Sequence, residues 1–270
     1  MHMEFGLFTK VVDEISGFRP LPSVGLNFSG ESLLHPRFLD ALVLLKERGL
    51  ISGTGFNTNA SFLNPEVAEA IVESHVRSVS VSLDGFKASH ERIRVGSRYD
   101  RVVENTMFLV AARRRRGATH PHIVVNLTRV DQDESEIAAF VAHWAPLVDE
   151  VRVYEQLSAD SRLVTTNPLL DQVLSTRRMS CSQPWQYIAV LADGSITLCC
   201  HDILGVGGGF EANAADTSIL AIWNGRGYRR LRHLILKGHQ ASVPACAVCE
   251  AWAAEYVCQV VSTTDKYLIC

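Results

Sequence analysis

The sequence predicts an α/β fold with a parallel sheet, followed by a small domain that carries the cysteines. Through residues 1–155, short apolar runs rich in β-forming residues alternate with segments of helical periodicity, and this alternation is typical of strands joined by crossover helices. All seven cysteines lie after residue 180. We therefore predict a βα domain over 1–155, a linker over 156–180 and a cysteine domain over 181–270.

Five strands and five helices are predicted in the first domain. The first element is an amphipathic helix, Glu4–Ile15, because its apolar side chains recur on one helical stripe. The predicted strands are Ser23–Phe28, Gly53–Asn57, Ser78–Leu83, His122–Thr128 and Glu150–Tyr154. The helices between them are Arg37–Arg48, Pro65–His75, Arg98–Arg116 and Glu134–Val148, with proline or acidic residues at starts and glycine after two of the ends.

Composition excludes several classes of function. The chain is 47% hydrophobic and 20% charged, as expected of a folded protein with one sizeable core. A net charge of −3 and a pI near 6.4 argue against a nucleic-acid partner, and we interpret the run Arg113–Arg116 as a solvated helix end. No apolar stretch approaches the ~18 residues of a membrane span, and Met1–Glu4 does not begin a targeting peptide. We expect a cytoplasmic protein without a membrane partner.

Four cysteines have the spacing of a metal site. Cys181 and Cys199 flank a segment that predicts a β-hairpin, since Asp193-Gly194 is a typical hairpin turn. The hairpin would bring Cys181 near Cys199, and the pair Cys246 and Cys249 forms a CxxC sequence. Four thiolates form a tetrahedral sulfur site that suits a [4Fe–4S] cluster or zinc.

The spacing leaves three alternatives open for these cysteines: an iron–sulfur cluster, zinc, or buried thiols without a metal. Cys200 adjoins Cys199 and would point to the opposite side of a strand, so we predict that it is a neighbour and not a ligand. Cys258 and Cys270 have no clear partner spacing.

The cysteine domain resembles the SPASM/Twitch domain of radical S-adenosylmethionine (radical SAM) enzymes. The resemblance rests on the segments Cys181–Trp185, Ala192–Asp202, Ile219–Trp223, Leu231-Arg232 and Cys246–Cys249. It implies an auxiliary [4Fe–4S] cluster held by Cys181, Cys199, Cys246 and Cys249. The residue six positions beyond Cys249, where the longer SPASM form has a further cysteine, is Glu255. One cluster is therefore expected, as in the similarly spaced Twitch domain of 2-deoxy-scyllo-inosamine dehydrogenase.

Four segments near strand ends resemble the cofactor motifs of the same family. They are Ser29–Pro36, which resembles "GGEPLL", Asn57–Ala60, which resembles "TNG", Ser80–Gly85, which resembles "vSlDG", and Ile93–Gly96, which resembles "iRg". Each segment taken alone is also compatible with ordinary turn chemistry; their joint order favours the family. The resemblance spans about residues 3–250 and implies a partial (β/α)6 barrel. The residues that it implies for S-adenosylmethionine are Gly30, Glu31, Asn59, Ser82, Asp84 and Arg94.

The cysteines that begin radical SAM chemistry are not in this sequence. The family supplies three thiolates from CxxxCxxC after the first barrel strand, and no cysteine precedes Cys181. A βα fold that opens on a helix also predicts that the first strand is missing. We therefore expect an incomplete gene model or a trimmed chain, with a natural remnant as the alternative, and expect this chain to be inactive alone. An in-frame CxxxCxxC upstream of Met1 would support the expectation.

The resemblance implies an oxidoreductase or maturase that acts on a small molecule or a peptide, with a reductant such as flavodoxin or ferredoxin. Two alternatives stay open at this point. One is a non-catalytic iron–sulfur module for electron transfer or partner binding, and the other is a zinc-stabilised α/β binding protein. Neither the substrate nor a general base is assigned by the sequence.

Overall fold

The computed structural model describes residues 1–164, 168–176, 178, 180–202, 212–253 and 267–269. The helices are α1 Phe5–Ser16, α2 Phe38–Glu47, α3 Pro65–Ser74, α4 Lys87–Ile93, α5 Tyr99–Arg115, α6 Glu134–Trp144, α7 Pro168–Leu174, α8 Gln183–Gln186, α9 Ile219–Trp223, α10 Arg226–Leu236 and α11 Pro244–Ala247. The strands are β1 Val24–Gly25, β2 Thr54–Thr58, β3 Ser78–Ser82, β4 His122–Arg129, β5 Glu150–Glu155, β6 Ala189–Val190, β7 Ile196–Thr197 and β8 Tyr267–Ile269.

The main sheet is parallel, as the sequence predicts. Strands β1 to β5 pair in chain order and β8 lies beside β5. One face is apolar: Val81, Val125 and Val151 align across three strands and are fully buried. The next row is polar, because Ser82 aligns with Asn126 and Asn126 with Arg152. The apolar face forms the core, and the polar face leaves hydrogen-bonding groups for a ligand.

The helix boundaries follow local chemistry. The Asn64 side chain caps α3 by accepting a hydrogen bond from Val67 N at 2.8 Å, and Pro65 occupies the first turn. Helix α5 ends at Arg115, and Gly117 follows in the left-handed region at φ +58°. Arg115 and Arg116 both pair with Glu69 at 2.6 Å. The arginine run therefore marks the end of a helix, as predicted, and its pairing with carboxylates was not predicted.

Several predicted boundaries are wrong. The first strand is only Val24–Gly25. Beyond it, Asn57 N donates to the side-chain oxygen of Asn27 at 3.0 Å and not to a backbone oxygen of a continued strand. Helix α4 was not predicted, since its seven residues are mostly polar and too few to show a period. The segment 156–180, predicted as a weakly patterned linker, contains α7, which begins at Pro168 as proline permits at a first turn.

The chain divides into two compact units. One comprises residues 18–155 and 261–270, and the other comprises residues 1–17 and 156–260. Helix α1 lies in the second unit, where Lys10 Nζ donates to Ala214 O at 2.7 Å and Glu14 Oε1 accepts from Leu220 N at 3.0 Å. The domain boundaries that the sequence suggests at residues 155 and 180 stay a prediction.

Candidate metal centre and cofactor site

The predicted hairpin between Cys181 and Cys199 is present. Ala189 pairs with Thr197 and Val190 with Ile196 in antiparallel register. The turn needs Gly194, whose φ is +82°, and Asp193 Oδ1 accepts from Ser195 N at 2.9 Å. The local sequence therefore returns the chain towards its starting point, as its Asp-Gly turn predicts.

One cavity brings together the four cysteines that the sequence singles out. Its wall includes Cys181, Cys199, Cys246 and Cys249, together with apolar side chains such as Ile235 and Trp252. The cysteines come from three separate segments of the chain. Among the described residues, Cys200 is not part of this wall, in agreement with its expected role as a neighbour. Cys258 and Cys270 lie outside the described residues.

The segment after the hairpin is held by a buried carboxylate. Asp202 is 3% exposed, and its Oδ2 accepts a hydrogen bond from Thr197 Oγ1 at 3.0 Å. Asp202 N in turn donates to Cys199 O at 3.1 Å. These hydrogen bonds fix the backbone of Cys199 relative to strand β7. Asp202 therefore orients Cys199, a candidate metal ligand, through the backbone.

Ser161 ties two cysteine segments together. Its hydroxyl donates to His201 O at 2.6 Å, and its backbone oxygen accepts from Glu250 N at 2.8 Å. The Glu250 side chain accepts from Leu163 N at 2.8 Å. The turn at residues 158–163 thus holds both the segment after Cys199 and the CxxC segment. No pattern in the sequence indicated this role for the turn.

The segment after Cys181 is fixed by an aromatic and arginine cluster. Arg232 Nε donates to Pro184 O at 2.9 Å, and its guanidinium lies over the Trp223 ring, 4.3 Å from the centroid. Tyr228 Oη donates to Tyr187 O at 3.2 Å. Trp223 and Arg232, which belong to the family-like segments, therefore stabilise the backbone that follows Cys181.

Burial suppresses ionisation of two of the four thiols, those of Cys199 and Cys246. It raises the pKa of Cys246 to about 12 and raises that of Cys199 further, and charge on neighbouring cysteines adds to both effects. Thiolates in this cavity therefore need a compensating cation. Soft sulfur donors with that need fit iron–sulfur clusters and zinc chemically. Among the described residues, no group of three or more His, Cys, Asp or Glu side chains is arranged around a single metal-ion position.

In the other unit, Glu31 joins the ends of two strands. Its Oε1 accepts from Thr58 Oγ1 at 2.8 Å, and its Oε2 accepts from Asn59 N at 2.6 Å. Gly30 before it has φ +110°, with open space where a Cβ would lie. The predicted residues Gly30, Glu31 and Asn59 are thus neighbours at one edge of the sheet.

Asp84 and Arg94 form a pair at the same kind of strand end. Arg94 Nε donates to Asp84 Oδ2 at 2.7 Å, and Thr128 N donates to Asp84 Oδ1 at 2.8 Å. Asp84 is 3% exposed, whereas the Arg94 side chain is 33% exposed. Both oxygens of the carboxylate are therefore engaged by the protein, while the partly exposed guanidinium has further donors for a ligand. Ser82 ends strand β3 nearby in sequence and is half-buried.

Sequence reasoning missed His90, which supports this pair. Its Nδ1 accepts from Asp84 N at 3.2 Å, so the ring proton lies on Nε2, 2.9 Å from Ser97 Oγ. Burial lowers the pKa of His90, which keeps the ring neutral and the tautomer fixed. The signal that could have found it is its place in the sequence between Asp84 and Arg94, the two predicted residues.

Asn126 and Arg152 were also missed. They extend the polar row that begins at Ser82, and Asn126 Oδ1 is buried without a hydrogen-bond partner in the described part of the chain. Arg152 binds Glu150 through two bonds of 2.6 and 2.9 Å. Alternation along β4 and β5 could have revealed this polar face.

Comparison with known proteins agrees with this geometry. Residues 11–141 match the radical SAM superfamily, and residues 181–250 match SPASM, an iron–sulfur cluster-binding domain. The chain belongs to the radical SAM superfamily. It carries a C-terminal SPASM domain, and iron–sulfur clusters and S-adenosylmethionine are typical of proteins with these two domains.

A curated relative of this radical SAM protein is the tungsten-containing aldehyde ferredoxin oxidoreductase cofactor-modifying protein of Pyrococcus furiosus. It is 27% identical over 164 residues, which cover 60% of this chain and 43% of the relative. The chain thus spans less than half the length of that protein.

Solved structures share the fold. SuiB of Streptococcus suis is similar with a TM-score of 0.66 and 15% identity, covering 91% of this chain and 65% of SuiB; another SuiB structure is bound to precursor peptide SuiA. BtrN in complex with AdoMet and 2-DOIA gives a TM-score of 0.57 and 16% identity, covering 90% of this chain and 78% of BtrN. Within the described residues, no helix has both the length and the apolar character needed to span a membrane.

Proposed function

We propose that this chain is the body of a radical SAM enzyme that modifies a small molecule or a peptide. In this proposal Cys181, Cys199, Cys246 and Cys249 hold one auxiliary [4Fe–4S] cluster. The observation that carries it is the meeting of these four cysteines, from three segments, in one cavity. A bound cluster would supply one-electron chemistry, while Asp202 and Ser161 keep the cysteine backbones in place.

The cofactor site is proposed at the strand ends of the other unit, within a partial (β/α)6 barrel. Ligands of open α/β sheets bind beyond the carboxyl ends of the strands, and the proposed residues for S-adenosylmethionine follow or end strands there: Gly30, Glu31, Asn59, Ser82, Asp84 and Arg94. Glu31 and Asp84 are engaged by protein donors. Their part is therefore to position Asn59 and Arg94, whose remaining hydrogen-bond donors would be available to the cofactor.

Proteins with the same fold support the proposed substrate classes. SuiB is solved with a precursor peptide and BtrN with 2-DOIA, so both a peptide and a small molecule fit the proposal. A flavodoxin or ferredoxin is the proposed electron donor, and the proposal includes neither a nucleic acid nor a membrane as partner.

The experiment is a cysteine panel. The full chain is prepared anaerobically with iron and sulfide, and bound iron is measured in the wild type and in single alanine variants of Cys181, Cys199, Cys246 and Cys249. Each variant is expected to lose most of its iron, because removing a thiolate leaves the cluster incompletely held. Cys200→Ala is the matched control and should retain wild-type iron. Equal iron in all five variants would contradict the assignment.

Zinc is the alternative that the same panel distinguishes. A sulfur site with four thiols also suits zinc, and a zinc-stabilised binding protein would show zinc in the wild type and its loss in the four variants. Iron with acid-labile sulfide is the result that the proposed function requires.

A further inference from the structure

One arginine lies in the wall of the cysteine cavity. Arg178 is among the residues that line it, together with the four cysteines, and its Nη1 donates to the backbone oxygen of Cys246 at 2.6 Å. Of the described wall residues, Arg178 alone is an arginine or lysine. This bond anchors one end of the guanidinium beside the CxxC segment.

The other end of the guanidinium carries an unused donor. Arg178 Nε is buried and has no hydrogen-bond partner among the described residues. A buried N–H of a charged group is costly to leave without an acceptor, so such a group in a folded protein indicates a missing partner. Four sulfur atoms line the same cavity, and the sulfur atoms of a bound cluster accept hydrogen bonds.

The charge of Arg178 points to the same partner. A guanidinium stays protonated at all ordinary pH values, and four thiolates around a cluster bring several negative charges into a cavity with apolar walls. Arg232, in the same unit, is not among the described residues of this wall; it binds the backbone oxygens of Pro184 and Trp223.

We propose that Arg178 donates its Nε hydrogen to a sulfur atom of the auxiliary cluster and raises the reduction potential of that cluster. The inference rests on the proposed function, since it needs a cluster at the four cysteines. On reduction one electron enters the cluster from an external reductant, no bond is broken, and the net charge becomes more negative by one unit. A fixed positive charge and an N–H donor stabilise that reduced form more than the oxidised form.

The test is a redox titration of the loaded full chain with dithionite, followed by electron paramagnetic resonance. Arg178→Met removes the charge and the donor, and is expected to lower the ratio of reduced to oxidised cluster about tenfold at a fixed potential, a shift of about 59 mV for one electron. Arg178→Lys keeps the charge and should lower the ratio less, by about threefold. Arg115→Met is the matched control: Arg115 pairs with Glu69 and is exposed, and it lies outside the unit that holds the cysteines, so its ratio should equal that of the wild type.

The outcomes separate this inference from the proposed function. An unchanged potential in Arg178→Met at wild-type iron content would overturn the inference and leave the cluster assignment standing. If Arg178→Met binds no iron, Arg178→Lys decides: a lowered ratio supports the inference and an unchanged ratio overturns it. Absence of a cluster in the wild type would refute the proposed function, and with it this inference.

Discussion

At the residue scale, the sequence predicted the candidate metal-binding cysteines better than the contacts of the cofactor-site residues. The four cysteines were selected by spacing, and they line one cavity, because a hairpin and a CxxC pair constrain local geometry strongly. The role of Asp84 was not readable. Its oxygens bind Thr128 N and Arg94, and the first of these partners lies on another strand, which no local pattern in the sequence could indicate.

Replacing Asp84 should reveal its positioning role. In Asp84→Asn, the amide NH₂ would face a donor, either Thr128 N–H or the Arg94 guanidinium. We expect the free energy of unfolding to fall by about 2 kcal/mol and the affinity for S-adenosylmethionine to fall about tenfold, because Arg94 loses its anchor. Urea unfolding and equilibrium binding measure the two effects.

The control for this prediction is another Asp–Arg pair of similar length. Asp131 and Arg92 are 2.6 Å apart, but both side chains are about half exposed, at 53% and 52%. Exposed pairs contribute little to stability, so Asp131→Asn should match the wild type in both measurements. Equal effects of the two substitutions would show that Asp84 has no special role.

At the element scale, prediction succeeded where turn and cap chemistry is strong. The Asp-Gly hairpin is present, and the helix predicted to begin at Pro65 begins there. It failed for α4 and for α7. These helices are short, and short helices are stabilised mainly by tertiary contacts that the sequence does not display.

The hairpin turn depends on Gly194. A Cβ at this residue would overlap the side-chain oxygen of Asn213, and Asn213 Nδ2 holds the turn by donating to Asp193 O at 3.0 Å. An alanine in the left-handed conformation costs roughly 1–2 kcal/mol. Gly194→Ala should reduce the free energy of unfolding by more than this amount, and it should also lower the amount of bound iron.

Gly238 is the matched control for the hairpin. Its φ is +74°, but a Cβ there meets nothing within 4 Å. Gly238→Ala carries only the backbone cost and should keep wild-type iron. If the two variants lose equal stability and both keep their iron, the hairpin turn is not what positions Cys199.

At the scale of the whole molecule, the sequence predicted the parallel sheet and the family but not how the chain is divided. Helix α1 opens the chain yet lies in the unit that holds the cysteines. Its contacts, Lys10 with Ala214 and Glu14 with Leu220, join residues more than 200 positions apart. Periodicity identifies such a helix, but it does not identify the surface against which its apolar stripe packs.

We propose that this radical SAM chain holds an iron–sulfur cluster at Cys181, Cys199, Cys246 and Cys249. The most direct measurement is the iron, acid-labile sulfide and zinc content of the anaerobically prepared full chain, with Mössbauer spectroscopy of the iron. We predict about four iron and four sulfide per chain in one cluster with sulfur ligands, and little zinc. Stoichiometric zinc without iron or sulfide, or no bound metal, would contradict the account.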